Sequence, residues 1–353
     1  MLPTGTGASL STILTALRSP DARLDAPVDT GHPAGLSAAN GYGFVDTRRP
    51  VLVLNDVTKT YPNGRDALKD VDLVVPEGDF VFLVGASGAG KSTLMKLLIR
   101  DELATQGTVI LDGDDMARLP RRKVPMVRRK IGIVFQDFKL LPTKTVRENI
   151  AFALEVTGTS RRRIRPAVER ALALVGLTAQ AEQYPKQLSG GEQQRTAIAR
   201  ALVHDPKIVI ADEPVSALDV SIQAQVVNLM QDLQDEFKLS YIFIAHDLSV
   251  VRHISDRIAV MYLGNIVEIG PAELIYKTPL HPYSRALLSA VPRPDPEAAQ
   301  NRRIRLVGDI PNAIHKPSGC AFRTRCPIAQ RSCADEVPPL EFREGRWVAC
   351  PWV

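Results

Sequence analysis

A chain of 353 residues with 45% hydrophobic residues is long enough for two domains, or for one domain with additions, and it has the apolar content for a real core. Its formal charge of +5 is carried in short basic clusters, Arg121-Arg122-Lys123, Arg128-Arg129-Lys130 and Arg161-Arg162-Arg163. No aromatic residues interleave with them, which argues against a single-strand nucleic-acid groove and leaves solvated helix faces or an anionic membrane surface.

Residues 1 to about 50 are rich in Gly, Ala, Ser, Thr and Pro and read as a disordered extension, with one island of helical spacing at Leu10, Ile13, Leu14 and Leu17. They lack the basic and apolar regions of a secretory signal, and no run approaches the roughly 20 apolar residues of a membrane span. The expected location is therefore cytosolic, at a membrane only through a partner. From Val51 the pattern is that of a folded domain. Val51–Leu54 and Leu68–Val75 read as strands around a Pro62-Asn63-Gly64 turn. Tyr61, just before the turn, is placed either to stack on a flat ligand ring or simply to end a strand.

Phe80–Val84 is a short apolar run of strand type, and Leu94–Leu98 continues as a helix after it. Between them, Gly85-Ala86-Ser87-Gly88-Ala89-Gly90-Lys91-Ser92-Thr93 matches G-x-x-x-x-G-K-[ST]. A glycine-rich turn entering a helix N-terminus lets backbone N–H groups close around phosphates. Lys91 is placed to reach the β- and γ-phosphates and Ser92 to ligate Mg²⁺.

Gly107–Leu111 and Lys130–Phe135 read as further strands, the second leading to Gln136. Val146–Val156 and Arg161–Val175 have helical spacing, with Ser160 as a cap for the second, so the chain leaves the sheet for a helical insertion at about residues 137–200. The insertion closes at Leu188-Ser189-Gly190-Gly191-Glu192-Gln193-Gln194-Arg195, before the helical stretch Thr196–Val203. Ser189, Gly190 and Gly191 at a helix start form a second anion site.

The apolar strand Lys207–Ala211 ends in Asp212 and Glu213. Two adjacent carboxylates are costly to bury unless paired or on a metal. Asp212 is placed to hold Mg²⁺ and Glu213 to polarise an attacking water. Ser216-Ala217-Leu218-Asp219 follows as a turn, and the strand Tyr241–Ala245 presents His246 at its tip. Cys320, Cys326, Cys333 and Cys350 all lie near the C-terminus, spaced C-x5-C-x6-C-x16-C rather than C-x2-C as in a zinc ribbon. Four such thiolates suit zinc or an iron–sulfur cluster, and the alternative is reduced thiols in a small core.

From Val51 to about Gly270 these motifs stand in the order and spacing of an ABC-type ATPase, which the chain resembles. The resemblance implies an α/β P-loop NTPase of ABC type with a mixed sheet core, a helical subdomain and a small Cys-containing C-terminal extension. The expected domains are residues 1–50, 51–270 and 271–353. It further implies ATP and Mg²⁺ as ligands and a head-to-tail dimer, with itself or with a paralogous ATPase. Tyr61 would stack on adenine, and Gln136 would contact Mg²⁺ and couple the site to a membrane partner. Ser189, Gly190 and Gly191 would contact the γ-phosphate bound to the other subunit. Asp219 would bridge the two sites, and His246 would contact the γ-phosphate. The expected location is peripheral, on the cytoplasmic face of the inner membrane, with permease subunits as partners and no nucleic acid.

Within the family the two halves point differently. Residues 51–213 resemble the cell-division ATPase FtsE, on Phe135-Gln136-Asp137-Phe138-Lys139-Leu140-Leu141-Pro142 and Ala151-Phe152-Ala153-Leu154-Glu155-Val156-Thr157-Gly158. Residues 214–353 resemble oligopeptide and dipeptide importer ATPases, on Ser216–Gln225, His281-Pro282-Tyr283-Ser284-Arg285-Ala286-Leu287-Leu288 and the cysteines. Some ATPases of that kind carry a four-iron–four-sulfur cluster on similarly spaced cysteines, so the resemblance implies one here. The expected function is ATP-driven peptide import; the alternatives are an FtsE-like ATPase with an FtsX-like membrane partner and a soluble ABC ATPase.

Overall fold

The computed structural model describes residues 48–245, 254–291, 304–306, 308, 311 and 316–353. In chain order they form β1 (Pro50–Thr60), β2 (Asp66–Pro76), β3 (Phe80–Val84), α1 (Lys91–Leu98), β4 (Gln106–Leu111), β5 (Asp114–Asp115), α2 (Val124–Arg128) and β6 (Ile131–Val134). Next come α3 (Val146–Val156), α4 (Arg161–Leu174), α5 (Gly190–Leu202), β7 (Ile208–Asp212), α6 (Val220–Phe237) and β8 (Ser240–Ala245). The chain finishes with β9 (Arg257–Tyr262), β10 (Asn265–Pro271), α7 (Ala272–Lys277), α8 (Pro282–Ser289), β11 (Glu341–Arg343) and β12 (Arg346–Val348). The helical island expected at Leu10–Leu17, and His246, lie outside the described residues.

Two compact units emerge. One contains Arg48–Phe138 together with His204–Val353. Its larger sheet runs β11-β12-β10-β9-β3-β8-β7-β6, and a smaller antiparallel sheet runs β2-β1-β4-β5. The centre of the larger sheet is parallel: β3 lies between β8 and β9, and β7 between β6 and β8. A strand covered on both faces needs an unbroken apolar run rather than alternation, and all five residues of β3 are fully buried. Leu94, Leu97 and Leu98 of α1 share one core with Leu68 and Leu73 of β2, Leu83 of β3 and Ile244 of β8. Truncating such a residue to alanine costs about 2–5 kcal/mol, so the loop entering α1 is anchored on a core that is costly to disturb.

The edge of this sheet differs from expectation. The boundary expected between residues 270 and 271 falls inside β10, and the C-terminal segment does not stand apart. β12 pairs antiparallel with β10, Glu268 opposite Val348 and Ile269 opposite Trp347, and β11 pairs with β12. The tail is a continuation of the main sheet.

The other unit comprises Lys139–Val203 among the described residues. α3 begins with a full capping box, in which the Thr145 side chain accepts from Glu148 N–H and Glu148 in turn accepts from Thr145 N–H. Asn149, fully buried, donates to the carbonyls of Leu141, Lys144 and Thr145 and accepts from Leu141 N–H, which fixes the turn entering the helix. Ser160 is the N-cap of α4 as expected, although its side chain makes no capping bond.

Candidate nucleotide site

The glycine-rich turn sits where the motif requires, after β3 and before α1, with Gly90 at φ 109 as the N-cap. A methyl group at Gly90 would lie 2.8 Å from the Ala67 carbonyl, and one at Gly85 would lie 2.4 Å from the Met261 carbonyl, so both positions exclude a side chain by backbone contact. Gly264, in the β9–β10 turn, donates its N–H to the Ala89 carbonyl at 2.8 Å. Ser87, Gly88 and Ser92 are exposed, Thr93 is half-buried, and Ala89 packs inward. Lys91 Nζ donates to the carbonyls of Gly85, at 2.5 Å, and Ala86, at 3.2 Å, so the ammonium lies folded over the loop that would hold phosphate.

Asp212 ends β7 and Glu213 follows it. Burial lowers the Lys91 pKa, opposed by the Glu213 and Asp212 carboxylates, which places all three groups in one electrostatic neighbourhood. Burial, joined by the Glu213 charge, raises the Asp212 pKa, and Lys91 acts the other way. A divalent cation would relieve this carboxylate repulsion, so the donor set fits Mg²⁺ held by Ser92 and Asp212. Glu213 has φ 47, a left-handed conformation that costs a non-glycine residue energy and is found at functional sites. Its backbone is bonded on both sides: its N–H donates to Ile244 O at 2.8 Å, and its carbonyl accepts from Ser216 Oγ at 3.0 Å and Ser216 N–H at 3.2 Å.

Tyr61 follows β1, half-buried, with its hydroxyl donating to Glu102 at 2.9 Å and Lys59 Nζ 5.2 Å from its ring centroid. Gln136 is exposed in the turn after β6, a strand that ends at Val134, one residue earlier than expected. Asp219 caps α6, accepting from Ile222 N–H at 3.0 Å. In the helical unit, Ser189 caps α5 through a box with Glu192, while Ser189 and Gly190 face solvent and Gly191 is buried.

The four cysteines are free thiols, all half-buried. Burial raises the pKa of Cys320, Cys326 and Cys350, each raised further by neighbouring cysteines. The expected cluster finds no support in this geometry: among the described residues no group of three or more His, Cys, Asp or Glu side chains is arranged to hold a metal ion. The sulfurs instead accept backbone N–H groups, that of Cys333 from Gln330 at 3.4 Å.

Sequence reasoning gave no role to His281 or Tyr283. His281 Nδ1 accepts from Tyr283 N–H at 3.1 Å, and the Tyr283 hydroxyl accepts from Ala86 N–H, in the phosphate loop, at 3.1 Å. The available signal was the His281-Pro282-Tyr283 sequence, which reads as a capped helix start with proline at the first helical position.

Comparison with known proteins accounts for both parts of the chain. Residues 68–216 match the ABC transporter model, and residues 267–333 match the model of the oligopeptide/dipeptide transporter C-terminal region. A putative peptide import ATP-binding protein of Brucella ovis is 46% identical over 313 residues, covering 86% of this chain and 98% of the relative. The oligopeptide transport ATP-binding protein OppF of Salmonella typhimurium is 48% identical over 295 residues, covering 82% and 88%. Among solved structures, the dimeric post-hydrolysis ATP-binding cassette MJ0796 bound to ADP and Pi has a TM-score of 0.57 at 35% identity, over 63% of this chain and 98% of that one. The cassette cbiO1 of Clostridium perfringens has a TM-score of 0.61 at 27% identity, over 65% and 91%.

Proposed function

The chain belongs to the family of ABC transporter ATP-binding subunits, and on that premise we propose that it drives the import of oligopeptides or dipeptides through a membrane permease. The observation that carries this reading is the C-terminal region at residues 267–333, joined to a cassette whose relatives are peptide import ATPases. A match over 313 residues far exceeds the 140 residues from 214 to 353, so the likeness to peptide importers extends into the part that resembles FtsE as well.

The mechanism follows from the residues. Ser92 and Asp212 would hold Mg²⁺, which when bound would supply charge neutralisation at the phosphates. Lys91 leaves the Gly85 and Ala86 carbonyls for the β- and γ-phosphates, and the N–H groups of the loop close on the same anion. Glu213, set by its strained backbone, orients the attacking water, and phosphoryl transfer then depends on positioning and charge. Tyr61 stacks on adenine, and Gln136 reports the Mg²⁺ site to the permease. Ser189 and Gly190, exposed at the start of α5, meet the γ-phosphate bound to a second ATPase subunit, and Asp219 and His246 complete the paired site.

No helix among the described residues is long and apolar enough to cross a membrane. The likeness to import ATP-binding subunits supports peripheral attachment, through permease subunits at the cytoplasmic face of the inner membrane. Phe152 and Val156, one turn apart on α3 and exposed, support the helical unit as the docking element. Copurification of the membrane partner from the native host, followed by reconstitution in vesicles, tests the reading. ATP hydrolysis and uptake should both rise with added peptide. A partner that responds to no peptide and moves no solute would favour the FtsE-like alternative.

A further inference from the structure

We infer that Tyr283 is a positioning residue for ATP, and that the C-terminal segment acts through it to hold the phosphate loop in its binding conformation. The proposal deepens the reading of residues 85–93 as an ATP site and rests on it.

Ala86 lies at the first bend of the loop, and its N–H needs a partner that a phosphate-binding turn does not supply from its own backbone. The partner is the Tyr283 hydroxyl, 197 residues away in sequence and 3.1 Å away in space. An N–H left unsatisfied in a partly buried site costs about 1–3 kcal/mol, enough to change which loop conformation dominates. Tyr283 itself is buried, and its position is fixed from several sides. Its ring packs on Tyr262 at 4.6 Å and Phe322 at 5.5 Å between centroids, and Phe322 also meets His281 at 5.8 Å. Phe322 comes from the segment between Cys320 and Cys326.

The start of α8 is fixed in turn. The buried Glu268 carboxylate on β10 accepts from the N–H groups of Leu280, at 2.9 Å, and His281, at 3.1 Å. Arg346 of β12, 3.7 Å from Glu268, donates to the carbonyls of Leu274 and Thr278 and is itself buried. A buried ion pair is weak evidence for stability but can set geometry; here the two Arg346 Nη groups are bonded, to Leu274, Thr278 and the Thr278 hydroxyl, while the buried Nε has no hydrogen-bond partner. The path therefore runs from β12 through Glu268 to the cap of α8, through Tyr283, to the loop. Each link is a named hydrogen bond or ring contact, except the first, which is the Arg346–Glu268 ion pair. A loop that spends less time in its competent conformation binds ATP more weakly in proportion to the lost population.

The test compares Tyr283→Phe with Tyr262→Phe. Both remove one hydroxyl from the same aromatic cluster, and the Tyr262 hydroxyl makes no hydrogen bond to the loop. Tyr283→Phe should raise the Kd and KM for MgATP at least threefold with kcat within twofold, and Tyr262→Phe should leave all three unchanged. Equal weakening in both variants would reduce the effect to general packing and overturn the proposal, as would unchanged affinity in Tyr283→Phe. Should Tyr283→Phe fail to fold, amide hydrogen exchange in the unaltered, nucleotide-free protein decides: Ala86 should be protected well beyond Ser87, and equal exchange would overturn the proposal. If the unaltered protein binds no ATP, the nucleotide-site reading itself fails, an outcome distinct from normal ATP binding that Tyr283→Phe leaves unchanged.

Discussion

The phosphate loop and the signature segment, Leu188–Arg195, are both helix starts offering backbone N–H groups, yet they are held in opposite ways. The loop is gripped from outside itself: by the Met261 and Ala67 backbone, by Gly264 N–H on Ala89, and by Tyr283 on Ala86. The signature is held by its own first turn, the Ser189–Glu192 capping box, and shows Ser189 and Gly190 to solvent. Hydrogen bonding to Ser189 lowers the Glu192 pKa, so the cap is a charged one. A site preorganised by remote contacts binds ligand within its own chain, whereas a capped and exposed helix start is prepared for something brought to it. That difference is what the proposed sharing of a nucleotide between two subunits predicts.

The largest expected effect lies on the gripped side. Glu213→Gln should retain ATP binding and lower turnover by about 10²-fold or more, the usual loss for a general base. Steady-state hydrolysis and equilibrium ATP binding, measured together, check this; near-normal turnover would remove Glu213 from the chemistry.

A second test weakens the outer support of the loop by pH. Burial, aided by the Arg285 charge, lowers the His281 pKa from 6.5 to about 3. Between those values the unfolded chain binds a proton that the folded chain refuses. Stability is therefore full above pH 6.5 and falls as the pH drops, by about 2 kcal/mol at pH 5. Glu268, whose pKa burial raises, works in the opposite sense nearer its own titration range. Urea unfolding at pH 7 and pH 5 should show the loss, and His281→Asn, which keeps a capping acceptor, should flatten it. Identical pH dependence in the two proteins would place the acid sensitivity elsewhere.

The smallest effect concerns the thiols. Because burial raises the pKa of Cys320, Cys326 and Cys350, alkylation at pH 7.5 should be several-fold slower than for a free thiol and should accelerate as the pH rises. Mass-spectrometric labelling kinetics check it, and rapid labelling at neutral pH would contradict the burial.

The gripped site was largely legible in the sequence for a physical reason. β3, β7 and β8 are covered on both faces, so their apolar runs are unbroken, and Gly85–Thr93, Asp212 and Glu213 fall at their ends. The α5 start was legible through Ser189, Gly190 and Gly191, although the helix begins at Gly190 rather than at Thr196. The outer support was not. β11 and β12 have three residues each, and Arg346 reads as a surface residue until it is seen buried beside Glu268 and donating to two carbonyls. The bond from Ala86 to Tyr283 spans 197 residues, and no local pattern encodes it. The cysteine spacing was legible as a segment but not as a ligand set, because spacing along the chain does not fix whether four sulfurs converge.

The most direct test sets Lys91→Ala beside Ser189→Arg in the assembled complex, measuring ATP affinity of the isolated subunit and hydrolysis by the whole. Lys91→Ala should lose both. Ser189→Arg should keep ATP affinity within about twofold, because its own loop is intact, and lose hydrolysis by tenfold or more, because the neighbouring site is incomplete. Parallel loss of affinity and hydrolysis in Ser189→Arg would place the signature in its own chain's pocket and contradict the shared site.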